Sequence, residues 1–143
     1  HQAAGSKRVI EFHGNGKKLV CMTCSRLYDR QQVKMEPLPP RCTCNGVLKP
    51  NVVFFGEPIP WGAQMEAREE AGSCDLMLVI GTSAVVSPAC DLPIIAKRAG
   101  ASIVEVNLEE TQLTRYASNW ILKGSASLIL NSLLEKIVSI GKG

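Results

Sequence analysis

The chain has 143 residues, 45% of them hydrophobic and 20% charged, which agrees with one compact domain that buries a core and carries a small insertion. No stretch approaches the roughly eighteen uninterrupted apolar residues of a membrane span, and a net charge of +3 is too small to argue for nucleic acid, although Lys7, Arg8, Lys17 and Lys18 form a local basic cluster. Six cysteines and no signal sequence exclude a disulfide-dense exported scaffold and point to a reducing, intracellular (cytoplasmic) setting.

In chain order, Gly5 and Ser6 turn into Arg8-Val9-Ile10-Glu11-Phe12, which reads as a strand ending at His13-Gly14; Gly14, Asn15 and Gly16 break the pattern. The stretch from Leu19 to Pro50 then carries two cysteine pairs, Cys21/Cys24 and Cys42/Cys44. Two close pairs at turns supply the tetrahedral four-sulfur set that Zn²⁺ prefers. Such a set leaves no open position for water, so the metal would hold structure and do no chemistry. The intervening segment is too polar to make a core without a staple, which favours zinc over two disulfides. Cys74 and Cys90 sit in apolar surroundings and read as small core residues.

Beyond Pro50, Asn51-Val52-Val53-Phe54-Phe55-Gly56-Glu57 reads as a β-branched and aromatic strand, with Val52 and Phe54 facing the core, stopped by Gly56 and Pro58. Residues 63–71 suit an amphipathic helix ended by Gly72. Leu76–Ile80 is a continuous apolar run, as expected of a strand buried on both faces of a parallel sheet. A helix is predicted to open at Ser87-Pro88, with Ser87 as N-cap, and to bury Leu92, Ile95, Ala96 and Ala99. Ser102–Val106 and residues 119–123 are further strands, and Leu130, Leu133, Leu134 and Ile137 give the last helix an apolar stripe that must cover the sheet.

Strands alternating with helices imply the α/β class, here part of a doubly wound, Rossmann-like, mainly parallel sheet with a small inserted zinc-binding module. In such sheets ligands bind beyond the carboxyl ends of the strands. Three loops fit that place: Gly81-Thr82-Ser83, Asn107-Leu108-Glu109 and Gly124-Ser125-Ala126. Glycine admits close approach, hydroxyls bond phosphate or ribose, and the Asn107 amide can meet a hydroxyl or a base edge. Neither a G-x-G-x-x-G nor a P-loop pattern occurs.

The chain resembles the sirtuins, NAD-dependent protein deacylases, through motifs in the family's order: His1-Gln2-Ala3-Ala4-Gly5, Glu11-Phe12-His13-Gly14, the four cysteines, Lys49-Pro50-Asn51-Val52-Val53-Phe54-Phe55-Gly56-Glu57, Gly81-Thr82-Ser83 through Pro88-Ala89, Val106-Asn107-Leu108-Glu109, and Gly124-Ser125-Ala126. The resemblance implies a nucleotide-binding domain (1–16 and 51–143) interrupted by a zinc-binding module (17–50) held by Cys21, Cys24, Cys42 and Cys44. It implies NAD as cofactor, contacted by Gly81, Thr82, Ser83, Asn107, Leu108, Glu109, Ser125 and Ala126, chiefly at the adenosine half. An acyl-lysine protein or peptide would pair with Val53, Gly56 and Glu57, with Phe55 lining the acyl tunnel, while His13 acts as catalytic base. Histidine suits that role because it titrates nearest neutrality. The reaction implied is acyl transfer from lysine to ADP-ribose with release of nicotinamide. The family's Gly-Ala-Gly phosphate loop, Phe-Arg loop and Asn-Ile-Asp motif have no counterpart here, so the chain reads as the C-terminal portion of the catalytic core. The partners expected are therefore the acyl-lysine substrate and the N-terminal half of the same fold, with no membrane and no nucleic acid. A non-catalytic zinc-stabilised binding module and a sirtuin-type ADP-ribosyltransferase remain the alternatives.

Overall fold

A computed structural model describes residues 1–141. The chain divides into two compact units, His1–Met65 and the residues from Glu66 onward. Among the described residues no helix is long and apolar enough to cross a membrane.

The first unit is built on an antiparallel sheet of β1 (Gly14–Cys21), β2 (Leu27–Asp29) and β3 (Leu48–Val52), in the order β2-β1-β3. Its core is small: Leu19, Cys21, Cys42 and Leu48 are buried, with Tyr28, Val33 and Met35 packed against them. After β2 the Asp29 carboxylate accepts the Gln31 N–H at 2.9 Å and starts a 3-10 turn over Arg30–Gln32. Two sequence expectations fail in this unit. Arg8–Phe12 is not a strand; the strand begins at Gly14, inside the stretch read as a breaker. The reason is steric. Gly14 has φ +80°, and a Cβ there would lie 2.1 Å from the Asn51 carbonyl oxygen, so glycine is what lets β1 approach β3. The predicted strand from Asn51 to Glu57 contributes only its first two residues to β3. Beyond them the Glu57 N–H bonds the Phe54 carbonyl at 2.9 Å and Gly56 takes φ +85°, so the chain turns. Phe54 is accordingly exposed and Val52 half-buried, where both were expected in the core.

Helix α1 (Trp61–Ser73) follows, starting two residues before the predicted 63–71 and running past Gly72, where the Cys74 N–H still bonds the Glu70 carbonyl at 3.1 Å. The second unit continues with β4 (Leu76–Ile80), α2 (Asp91–Arg98), β5 (Ser102–Asn107), α3 (Gln112–Tyr116), β6 (Trp120–Lys123) and α4 (Ala126–Ile140). The three strands are parallel in the order β4-β5-β6, with Leu76 opposite Ser102 and Val104 opposite Trp120. The α/β class with a parallel sheet is therefore as expected. Ala71, Val79, Ala96, Ala101, Ile103, Leu113 and Ala117 form the core.

Four details differ. β4 is buried on one face only: Val79 is inside while Leu76, Leu78 and Ile80 are exposed. α2 begins at Asp91, not at Ser87, whose hydroxyl reaches the Asp91 carboxylate at 3.1 Å from outside the helix. In α4, Leu130 and Leu133 are half-buried but Leu134 and Ile137 are 60% and 57% exposed, so the apolar stripe is only partly covered. Finally, α3 is a helix that periodicity does not announce. It is too short for a repeat, and is marked instead by a capping box in which Thr111 and Thr114 cap each other's backbone.

Candidate functional site

The four cysteines of the first unit converge. All four sulfurs lie within 4.8 Å of one another, with Cys21 and Cys44 at 3.5 Å and Cys24 and Cys42 at 3.6 Å. Four thiolates around one Zn²⁺ at about 2.3 Å would sit roughly 3.8 Å apart, so the spread of the four sulfurs is of the right size for that ion. Local chemistry builds the two knuckles. Ser25 N–H returns to the Cys21 carbonyl at 2.9 Å, and Asn45 N–H to the Cys42 carbonyl at 2.8 Å, with Ser25 and Asn45 both at positive φ. At Gly46 a Cβ would fall 2.5 Å from Thr23 Oγ1 and 2.7 Å from Cys21 Sγ, so only glycine leaves room beside the sulfurs. Arg26 ties one knuckle to the other through Thr43 Oγ1 at 2.8 Å. The Cys44 amide and the Tyr28 hydroxyl, 2.9 Å away, hold the Cys42 thiol down to about 5. For Cys44 the Gly46 amide pulls downward, but the crowding sulfurs of Cys42, Cys21 and Cys24 prevail and push it up to about 12. Four sulfurs this close cannot all ionise unaided; a divalent cation removes that conflict.

His13 sits exposed in the turn immediately before β1. Its ring meets the Phe12 ring edge-on, centroids 5.2 Å apart, and its carbonyl accepts the Val53 N–H at 3.0 Å. Glu11 fixes this turn from both sides, accepting from Gln2 Nε2 at 2.9 Å and Asn15 Nδ2 at 2.6 Å. The structure thus brings His13 beside the start of the predicted peptide-binding segment. Within that segment Phe55 is 95% exposed. The Glu57 carboxylate is not free: Lys49 Nζ contacts both its oxygens, at 2.5 and 2.6 Å, and the Phe54 N–H reaches Oε2 at 3.1 Å. Lys49 first, then the Phe54 amide, hold this carboxyl below its usual value.

In the second unit all eight predicted cofactor residues lie at the carboxyl ends of the parallel strands: Asn107 closes β5, Ala126 opens α4, and the other six are on the loops after β4, β5 and β6. Asn107 stitches the three loops. Its Nδ2 donates to the Thr82 carbonyl at 2.8 Å, its Oδ1 accepts the Leu108 N–H at 2.9 Å, and its carbonyl accepts the Gly124 N–H at 2.9 Å. Gly81, Thr82, Ser83, Leu108 and Glu109 are exposed, and Ser125 and Ala126 half-buried. Gly81 has φ +61° and open space where a Cβ would stand. The Asn107 side chain, read as offering an amide to a ligand, also braces the loops themselves. A rim of small residues with exposed hydroxyls suits a nucleoside that must lie against backbone.

Sequence reasoning missed Tyr28, Gly46, Glu11, Lys49 and Glu105. Glu105 is the one buried charged residue among the described positions, 1% exposed in the central strand. It accepts hydroxyls from Thr111 at 2.6 Å, Thr114 at 2.5 Å and Ser118 at 3.1 Å. A lone charge inside Ser-Ile-Val-Glu-Val, followed within thirteen residues by three hydroxyls, was the available signal.

The Sir2 family model matches residues 1–88 of this chain. A NAD-dependent protein deacylase 2 of Pyrobaculum aerophilum is 44% identical over 138 residues, covering 96% of this chain and 55% of its own length. A NAD-dependent protein deacylase of Aquifex aeolicus is 45% identical over 145 residues, covering 99% and 61%. Among solved structures, a mutant Sir2 homologue in complex with ADP-ribose superposes with a TM-score of 0.93 at 35% identity, over 99% of this chain and 57% of that one. Sir2Tm bound to a propionylated peptide gives 0.88 at 38% identity, over 95% and 59%. The chain spans little more than half the length of these relatives. With the family model covering well over half of its residues, the chain belongs to the Sir2 family.

Proposed function

We propose that this chain is the C-terminal portion of a NAD-dependent protein-lysine deacylase. The observation that carries the reading is the set of three small-residue loops at the carboxyl ends of β4, β5 and β6, in a chain whose solved relatives hold ADP-ribose and acylated peptide. Gly81, Thr82, Ser83, Asn107, Leu108, Glu109, Ser125 and Ala126 hold the adenosine half of NAD. When bound, NAD supplies the ribose carbon that the acyl oxygen of lysine attacks as nicotinamide leaves. With NAD bound, His13 would take a proton from the ribose hydroxyl system so that the 2′-oxygen can reach the acyl carbon; the lysine amine would leave and one water would be consumed, giving free lysine and 2′-O-acyl-ADP-ribose. Val53, Gly56 and Glu57 offer main-chain groups to an extended peptide, and Phe55 meets the acyl chain. Cys21, Cys24, Cys42 and Cys44 hold a closed structural zinc that takes no part in the chemistry.

In this reading residues 17–50 are the zinc module, residues 1–16 and those from 51 onward belong to the nucleotide-binding domain, and the phosphate and nicotinamide contacts come from an N-terminal half. The exposed Leu76, Leu78 and Ile80 of β4, and Leu134 and Ile137 of α4, support such a partner, since apolar faces of this extent normally meet another layer. The test is nicotinamide release from NAD and an acetyl-lysine peptide by the full-length protein. His13→Ala should lower turnover about 10²- to 10⁴-fold while NAD binding by calorimetry stays within a few-fold. Undiminished turnover removes His13 from the mechanism.

A further inference from the structure

We propose that Lys49 and Glu57 form a clasp that fixes the shape of the loop from Val53 to Glu57, making both of them positioning residues for the acyl-lysine peptide. The inference rests on the deacylase reading and deepens it. Resemblance casts Glu57 as a substrate contact, but its carboxylate is already committed: both oxygens to the Lys49 ammonium, and Oε2 also to the Phe54 N–H. The Glu57 N–H returns to the Phe54 carbonyl. Residues 54–57 are therefore closed twice, once through the backbone and once through a side chain. Lys49 is held in the sheet opposite Val20, so it anchors this loop to β3, and its ammonium lies 5.2 Å from the centre of the Phe54 ring.

Two consequences for a bound peptide follow. With Phe54 held under Lys49, the adjacent Phe55 is the ring that projects, at 95% exposure. With Lys49 and Glu57 neutralising each other, the loop offers a peptide main-chain groups and no net charge, which suits recognition that tolerates many flanking sequences. A loop already ordered loses less entropy when the peptide docks, and that advantage is read in the peptide KM.

The experiment measures steady-state nicotinamide release by the full-length protein, varying acetyl-lysine peptide and NAD separately. Glu57→Gln and Lys49→Met should each raise the peptide KM about tenfold and leave the NAD KM within about twofold. The double variant should be no worse than either single, because one interaction is lost only once. Lys49→Arg, which keeps a two-pronged pairing with the carboxylate, should stay near wild type. The inference is overturned by an unmoved peptide KM in the singles, by penalties that add in the double, or by an NAD KM that rises in step. An active wild type with unmoved variants sinks the clasp alone. A wild type that turns over no acyl-lysine peptide sinks the deacylase reading and the clasp with it.

Discussion

Replacing Glu105 with alanine is the most demanding test of how the segment after β5 is held together. Helix α3 has only five residues and would not persist alone. Thr111 and Thr114 cap its first turn and donate hydroxyl hydrogen bonds to Glu105, and Ser118 does the same from beyond its end. A hydrogen bond to a charged group is worth about 1.5–3 kcal/mol. Three such bonds are offset in part because alanine no longer keeps a carboxylate out of water, and because hydroxyls on a surface helix can find solvent. The net loss should be about 2–4 kcal/mol. In urea, at a slope of about 2 kcal/mol/M, the midpoint should fall about 1–2 M. Glu105→Gln, which keeps one acceptor oxygen, should lose roughly half as much. In a double-mutant cycle Thr114→Val should cost more with Glu105 present than in Glu105→Ala, where only the capping bond from the Thr111 N–H remains to be lost. A midpoint within about 0.3 M of wild type for Glu105→Ala, or full additivity with Thr114→Val, would refute the argument.

Metal analysis should find about one Zn²⁺ per chain, and a strong chelator should unfold the first unit, because four buried residues make too small a core to stand without it; a metal-free, stably folded chain contradicts this, and Cys74→Ser should leave metal content unchanged. Acidification offers a second check. Lys49 holds the Glu57 carboxyl below its ordinary 4.5, so the clasp's contribution is present above that pH and is lost as pH falls through the lowered folded value. The Phe54 amide resonance, which reports the bond to Glu57, should titrate with a midpoint below 4.5. A midpoint at or above that value would mean the pair does not form in solution.

The parts of this chain that were legible in its sequence are those whose signal is local. Cys21-x-x-Cys24 and Cys42-x-Cys44 declare a four-sulfur set by spacing alone, Leu76–Ile80 declares a strand by an uninterrupted apolar run, and Ser102–Val106 does so by its β-branched residues despite the charge of Glu105. What escaped depends on distant neighbours. Gly14 looks like a breaker until the Asn51 carbonyl is placed against it. Lys49 looks like a solvated side chain until the loop folds Glu57 back onto it. The stripe on α4 was correctly read as apolar, but periodicity cannot say how much of it this chain covers. Asn107 shows the same dependence: residue type suggested a donor for a ligand, and only the fold reveals that the same amide also laces two loops together.

Strand β1 leaves the turn of His13 at Gly14 and ends on Cys21. It carries an imidazole just before one tip and, at the other, a sulfur of the candidate zinc set, with a break in its pairing to β3 between Asn15 and Leu19. Sheet registry moves in whole residues, and each step turns every side chain to the opposite face. A protein that loses its ion would therefore not drift gradually out of tune: once Cys21 lets go, β1 is free to slide against β3, and the imidazole would be presented to the wrong side while still chemically intact.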